Sequence, residues 1–144
     1  MAKETSVPTP SPVDRAAPFW RDPPFFLSLG LGAVAWLLPA PAAQLSLAFI
    51  VLKAGVEEAF FRWGLQAALS TRLPRRLYLG LVSPANLATS AVFALVHLLG
   101  QPPTWALATF LPSLVFGWQW DRYRRLAPCV LTHAAYNILF FYRP

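Results

Sequence analysis

The sequence predicts an all-α protein, a polytopic bundle of about five transmembrane helices with its N-terminus in the cytoplasm. The first observation behind this prediction is composition. Of the 144 residues, 56% are hydrophobic and 12% are charged, and the mean hydropathy is +0.47. Soluble domains are about 25% charged, and a water-soluble core of this size could not hide so many apolar side chains. The length suits one domain, and we expect an integral membrane protein.

The second observation is a series of five apolar runs, separated by basic or turn-forming segments. They cover residues 24–38, 42–69, 77–99, 104–120 and 127–142. Ser83 and Pro84 predict a helix start inside the third run, because serine caps helices and proline suits their first position. We also expect the fourth helix to bend at Pro112, since proline cannot donate a backbone hydrogen bond.

The third observation is the distribution of Lys and Arg. These residues cluster in segments 1–22, 71–76 and 121–125, whereas the turns after the first and third runs carry none. Because positively charged loops stay in the cytoplasm, the alternation fits five spans with the C-terminus outside. The excess of basic residues, a net charge of +6, is therefore explained by their placement in cytoplasmic loops. For this reason we expect no nucleic-acid partner.

The N-terminal segment differs from the rest of the chain. Residues 1–22 are rich in Pro, Ser and Thr and show no periodicity, which predicts a disordered cytoplasmic tail. Residues 23–144 would then form the transmembrane core. Cys129 is the single cysteine, so an internal disulfide is excluded.

Four charged residues lie inside the second apolar run: Lys53, Glu57, Glu58 and Arg62. Lys53 is four residues before Glu57, and Glu58 is four residues before Arg62, so each pair can touch on a helix and the set is neutral. An ion pair adds little stability over apolar side chains of similar size. Ionisable groups within a span therefore indicate function, although a purely structural contact between helices is the alternative.

Both histidines of the chain fall in apolar runs as well. His97 lies near the end of the third run, and His133 precedes Asn137 by four residues and shares its helical face. A carboxylate beside a neutral imidazole can polarise water, and a second imidazole with an amide can stabilise an oxyanion. These residue types are typical of peptide-bond hydrolysis without a nucleophilic side chain.

The residues form three ordered motifs that resemble EExxxR, FxxxH and HxxxN of the CAAX-protease and bacteriocin-processing family. This is a family of glutamic-type intramembrane endopeptidases, and the resemblance covers about residues 42–141. It implies that Glu57 and His97 activate water and that His133 and Asn137 stabilise the oxyanion. The expected location is the bacterial inner membrane, with residues 23–144 as the protease core.

The resemblance gives Glu58 and Arg62 a supporting role and makes Phe93 a packing residue beneath His97. Lys53 lies outside the family pattern and either favours the charged form of Glu57 or extends its ammonium toward the membrane surface. Three segments (FWRDP, SPANLATS and PSLVFGW) are similar to a short branch, the protease of the JDVT-CTERM protein-sorting system. The implied partners are the lipid bilayer and a membrane-anchored protein, cut near a C-terminal sorting segment.

Other functions remain open at this point. Two carboxylates and two histidines could ligate zinc, but the two-histidine spacing of zincins is missing, and we expect no metal or cofactor. A CAAX-type prenyl-protein endopeptidase is one alternative, and a non-catalytic immunity or interaction protein on the same scaffold is another. A transporter is a weaker one, because the chain shows no paired halves.

The depths of two candidate residues conflict if the second helix begins at Ala42. Glu57 would lie about 22 Å from the outer end of that helix, whereas His97 lies close to an outer turn. Either the second helix begins later or residues 100–103 dip into the membrane. The side on which the site opens is undecided by the sequence.

Overall fold

A computed structural model describes residues 18–39, 45–74 and 81–142, and every regular element in these ranges is a helix. The α-helices are α1 (Pro23–Gly30), α2 (Leu47–Glu58), α3 (Ala67–Ser70), α4 (Pro84–His97), α5 (Pro103–Ala108), α6 (Phe110–Tyr123) and α7 (Leu126–Phe141). Two 3-10 segments (Phe19–Arg21 and Leu31–Leu37) and one π-helical segment (Ala59–Gln66) complete the fold. The all-α prediction is confirmed.

Parts of several predicted features lie outside the described residues. They are most of the predicted tail (1–17), the start of the second run (42–44), the end of one basic turn and the start of the third run (75–80), and Arg143. Within the ranges that are described, no single helix combines the length and the apolar character needed to cross a membrane. The five-span topology, the side of the N-terminus and the domain boundary at residue 22 stay predictions.

Serine side chains cap the N-termini of two helices, α2 and α4. Ser83 Oγ accepts a hydrogen bond from the Asn86 backbone N–H at 3.0 Å, with Pro84 in the first helical position, which confirms the predicted start of α4. Ser46 Oγ accepts from the Phe49 N–H in the same way, at 3.3 Å. Helix α2 therefore begins at Leu47, five residues after the expected position, and this shortens the helix before the glutamates by about 7 Å.

The fourth run is broken rather than bent at its proline. Helix α5 ends at Ala108 and α6 begins at Phe110, because Pro112 has no N–H to donate to the Ala108 carbonyl and its ring crowds that group. The break therefore falls one turn before Pro112. Residues 71–74 form a turn, as predicted from the basic segment there.

The predicted basic turn at 121–125 is shorter than expected. Helix α6 continues to Tyr123, and the chain reverses at Arg124, which has a φ of 51°. The Arg124 N–H donates to the Trp120 carbonyl at 2.9 Å, an ending typical of a left-handed cap. Asp121 thus lies on the last turn of α6, from which its side chain reaches other helices.

Five of the described arginines lie at one end of the bundle. Arg122 Nε donates to Asp22 Oδ2 at 2.7 Å, and Ser83 Oγ donates to Asp121 Oδ2 at 2.5 Å, so the starts of α1 and α4 meet the end of α6. The hydrogen bond from Arg122 lowers the pKa of Asp22 below its usual 3.8. We call this the basic end; its members are Arg21, Arg72, Arg122, Arg124 and Arg125.

The opposite end brings together the start of α2 and the end of α7. The Tyr142 hydroxyl donates to the Leu45 carbonyl at 2.5 Å. We call this the neutral end, because its described residues, 45–46, 98–102 and 141–142, carry no charged side chain. From α2 through α3 the chain runs from the neutral end to the basic end, α4 returns, α6 runs back, and α7 returns again.

The interior is polar and much of the surface is apolar. Many buried side chains can form hydrogen bonds, and those that are fully buried include Glu58, Arg62, Gln66, Asn86, Ser90, Ser113, Gln119 and Thr132. Large apolar side chains point outward instead, with Trp63 71% and Leu99 89% exposed. This distribution is the reverse of the one found in water-soluble domains.

We predict that Gly117→Ala destabilises the protein by about 1–3 kcal/mol. A Cβ atom at position 117 would collide with the Asn86 amide and come within 2.9 Å of Arg62 Nη1. Thermal unfolding of the purified protein measures the effect.

Gly55→Ala is the matched control, because a Cβ atom there meets nothing within 4 Å and alanine favours a helix interior by roughly 0.5–1 kcal/mol. Equal unfolding temperatures for Gly117→Ala and the wild type would contradict the close approach of α6 to α4.

Candidate active site

The predicted ion pairs both form along the second helical run. Lys53 Nζ pairs with Glu57 Oε1, and Arg62 Nε donates to Glu58 Oε2 at 3.0 Å. From residue 59 the helix widens into the π-helical segment Ala59–Gln66. Such widening is frequent at functional sites, and here the segment carries Arg62 into the interior of the bundle.

His133 on α7 joins the two glutamates. Its Nδ1 lies 2.8 Å from Glu58 Oε1, and its Nε2 lies 3.6 Å from Glu57 Oε2. The Glu58 carboxylate, already paired with Arg62, accepts the first bond, so Nδ1 carries the hydrogen. The ring is stacked on Phe116 with centroids 4.7 Å apart, and this packing holds Nε2 toward Glu57.

The two adjacent glutamates therefore differ in what their oxygens can do. Both oxygens of Glu58 are hydrogen-bonded and its side chain is fully buried. Glu57 has one oxygen on Lys53, whereas its other oxygen, Oε2, is buried without a hydrogen-bond partner among the described residues. Glu57 Oε2 can accept a proton without competing with an existing hydrogen bond, whereas both oxygens of Glu58 already accept hydrogen bonds from Arg62 and His133.

His97 lies beside this group without touching Glu57. Its Nδ1–H donates to the Phe93 carbonyl at 2.8 Å, and the His97 and Phe93 rings are 4.4 Å apart. The Phe93 ring also contacts Phe61 at 4.8 Å, so Phe93 lies between Phe61 and His97, and its supporting role stays a prediction. In a neutral ring, the bond to the carbonyl places the hydrogen of His97 on Nδ1 and leaves Nε2 as an acceptor.

Helix directions remove the expected conflict of depth. His97 lies one turn beyond Phe93 toward the neutral end, and Glu57 lies one turn before Phe61 toward the same end. Because Phe61 and Phe93 are in contact, His97 and Glu57 lie at similar depth. The later start of α2 is the reason that the sequence placed Glu57 too deep.

Asn137 lies one helical turn after His133 on α7, on the side of the neutral end. It is half-buried, and it forms no hydrogen bond with either glutamate in the described part of the chain. The structure thus brings His133 to both glutamates, with His97 and Asn137 nearby at the level of Glu57 or beyond. The roles expected for His97, His133 and Asn137 stay predictions.

A buried polar network behind the site was missed by the sequence analysis. Arg62 Nη1 donates to Gln66 Oε1 at 3.0 Å, and Nη2 donates to Ser113 Oγ at 2.5 Å. Gln66 Nε2 in turn donates to the Gly117 carbonyl at 2.9 Å and to Asp121 Oδ1 at 3.0 Å. Every nitrogen of the buried Arg62 guanidinium therefore has an acceptor.

The network extends to α4 through hydroxyl and amide groups. Ser113 Oγ donates to Ser90 Oγ and Ser90 Oγ donates to Asn86 Oδ1, both at 3.0 Å. Asn86 Nδ2 donates to the Leu114 carbonyl at 2.9 Å. A four-residue spacing of polar groups within apolar runs, as in Asn86 and Ser90, was the available signal.

No group of three or more His, Cys, Asp or Glu side chains in the described ranges is arranged to hold a metal ion. The expectation of chemistry without a metal stays a prediction, because it concerns the reaction rather than this arrangement.

We predict that Arg62→Met lowers the free energy of unfolding by about 3–5 kcal/mol, because it leaves the Glu58 carboxylate buried without its partner. Arg122→Met is the matched control. Arg122 pairs with Asp22 but is 44% exposed, and exposed pairs contribute about 0–1 kcal/mol. Unfolding of both purified variants measures the two changes in free energy. Equal losses of unfolding free energy would contradict the burial of the Glu58–Arg62 pair.

The comparisons with known proteins agree with this arrangement of motifs. The model of the Rce1-like family, described as type II CAAX prenyl endopeptidase, matches residues 39–139. No curated protein and no solved structure is significantly similar. The match covers more than half of the chain and includes all three motifs. The chain therefore belongs to the Rce1-like family of CAAX-type endopeptidases.

Proposed function

We propose that this protein is an intramembrane endopeptidase that hydrolyses a peptide bond of a membrane-anchored protein with water activated by Glu57 and a histidine. Membership of the family implies CAAX-type endopeptidase activity. The observation that carries the mechanism is Glu57 Oε2, a buried carboxylate oxygen without a hydrogen-bond partner, 3.6 Å from His133 Nε2. Buried polar atoms with a purely structural role usually have a hydrogen-bond partner.

The proposed reaction begins with water bound between Glu57 Oε2 and an imidazole nitrogen. Glu57 takes a proton from the water, and the water oxygen forms a bond with the carbonyl carbon of the substrate. The carbon–nitrogen bond then breaks, and Glu57 returns the proton to the amine that leaves. The Asn137 amide can donate to the oxyanion during this step.

The geometry favours His133 over His97 as the partner of Glu57. His133 Nε2 faces the carboxylate directly, and the Glu58–Arg62 pair holds the hydrogen of His133 on Nδ1. His97 Nδ1 lies on the Phe93 carbonyl, so its Nε2 supplies a second acceptor when the ring is neutral or a donor to the oxyanion when it is protonated. Lys53 Nζ donates a hydrogen bond to the other oxygen of Glu57, Oε1.

The proposal includes a membrane location, with the basic end in the cytoplasm. Members of this family are integral membrane proteins. Support from this chain comes from its buried polar network, its exposed Trp63 and Leu99, and the gathering of arginines at one end. Such a distribution suits a bilayer, whose cytoplasmic side favours Lys and Arg, and the bacterial inner membrane is the proposed location.

We propose a protein tail near a C-terminal sorting segment as the substrate. Two of the segments that resemble the JDVT-CTERM branch supply the neighbours of Arg62. Segment 83–90 contributes Asn86 and Ser90, and segment 112–118 contributes Ser113 and Gly117. The segments that resemble that branch therefore contribute to the polar network behind the site. A prenyl-protein substrate, which the family description suggests, is the alternative.

We predict that Glu57→Gln lowers cleavage at least about 100-fold, because general acid–base catalysis contributes roughly 10²–10⁴. The change keeps the shape of the side chain and removes its ability to accept a proton. Processing of a membrane-anchored substrate encoded near this gene, in cells that express both proteins, measures the effect.

Asp22→Asn is the matched control, because it makes the same chemical change at the basic end. It should cleave as the wild type does. Full cleavage by Glu57→Gln, with both proteins inserted in the membrane, would refute the mechanism.

Cleavage by the wild type should also persist in a strong chelator. Loss of cleavage in the chelator, with recovery on added Zn²⁺, would favour the zinc alternative instead.

A further inference from the structure

Among the residues that the structure describes, the candidate site is open toward one end of the bundle and closed toward the other. Exposure falls along one face of the second helical run: the side chain of Lys53 is 37% exposed and that of Glu57 19%, and Phe61, one turn further, is buried. The adjacent face carries Glu58 and Arg62, which are fully buried. Gln66, one turn further, is also fully buried. Lys53 lies on the side of the neutral end, and Gln66 lies on the side of the basic end.

The closed side is filled by the polar network. Between the glutamates and the basic end lie Arg62 and Gln66, and Gln66 is bonded to Asp121 on α6. Asp121 in turn accepts from Ser83 at the start of α4. These bonds tie the π-helical segment, α4 and α6 together, so a peptide could reach Glu57 from the basic end only by breaking several buried hydrogen bonds.

Helix packing leaves the other side less enclosed. Helix α2 packs mainly on α7 and the π-helical segment, whereas α4 packs mainly on α6, α5 and the π-helical segment. The ends of α2 and α4 nearest the neutral end are thus not a principal packed pair. Lys53, His97 and Asn137 lie at this side, and all three are half-buried rather than buried.

We propose that the substrate reaches Glu57 from the neutral end, past Lys53, so that the bond to be cut lies on the side of the membrane away from the basic end. With the basic end in the cytoplasm, that side is extracytoplasmic. The substrate class is then a protein tail that has been carried across the membrane, in contrast to a tail that stays in the cytoplasm. The inference rests on the proposed function, which it makes more specific.

Thiol labelling tests the direction of access, because the chain has a single, fully buried cysteine, Cys129, and the wild type is the unlabelled background. Lys53→Cys probes the open side and Arg124→Cys probes the basic end. A charged, membrane-impermeant maleimide is applied to spheroplasts and, separately, to inverted vesicles. We expect Lys53→Cys to react in spheroplasts and Arg124→Cys to react only in inverted vesicles.

Leu52→Cys is the matched control beside Lys53. Leu52 is 65% exposed on the apolar surface, and in a bilayer it should react from neither side. Reaction of Lys53→Cys without reaction of Leu52→Cys identifies an aqueous path to the site. Asn137→Cys provides a second probe of the same side if Lys53→Cys is poorly expressed.

Reaction of Lys53→Cys only in inverted vesicles, or from neither side, would overturn the inference. Reaction of Lys53→Cys and Arg124→Cys from the same side of the membrane would also overturn the inference. Labelling needs no catalysis, so the two proposals fail separately. Cleavage that depends on Glu57 with labelling from the cytoplasmic side leaves the protease function intact. Labelling from outside without such cleavage leaves the access path intact.

Discussion

The buried ion pair between Glu58 and Arg62 is the interaction on which the rest of the structure depends. Both side chains are fully removed from solvent. The free-energy cost of burying two charges is offset only where every donor and acceptor has a partner. That requirement explains why Arg62 has acceptors on its own helix and on α6, and why Gln66 and Ser113 are buried polar residues. The same constraint requires a glycine at position 117, because the side chain of a larger residue would fill the space that Arg62 and Asn86 occupy.

The same pair determines the chemistry available at the site. With Arg62 on one oxygen and His133 on the other, Glu58 keeps the hydrogen of His133 on Nδ1 and leaves Nε2 as an acceptor toward Glu57. Two adjacent glutamates thereby acquire different roles: one orients the imidazole, and the other keeps an oxygen available for a proton. The asymmetry arises from the environment of each side chain, since the residues are chemically identical.

Much of this arrangement could be predicted from local spacing. The four-residue intervals in Glu58–Arg62 and Lys53–Glu57 predict contact on any helix, and Ser83 before a proline predicts a helix start. The π-helical widening was not predicted, because residues 59–66 show no local pattern that distinguishes a π-helix from an α-helix. The partner of Glu57 was equally hidden: His97 and His133 both suit the chemistry, and only the arrangement of α4 and α7 brings His133 to the glutamates.

The most direct measurement of the central claim is the tautomer of His133, read from the nitrogen-15 chemical shifts of its ring. His97→Gln leaves a single histidine in the chain, so the signals need no assignment. At a pH where the ring is neutral, we expect the hydrogen on Nδ1 and an unprotonated Nε2, and we expect Glu58→Gln to weaken this preference. A hydrogen on Nε2, unaffected by Glu58→Gln, would contradict it.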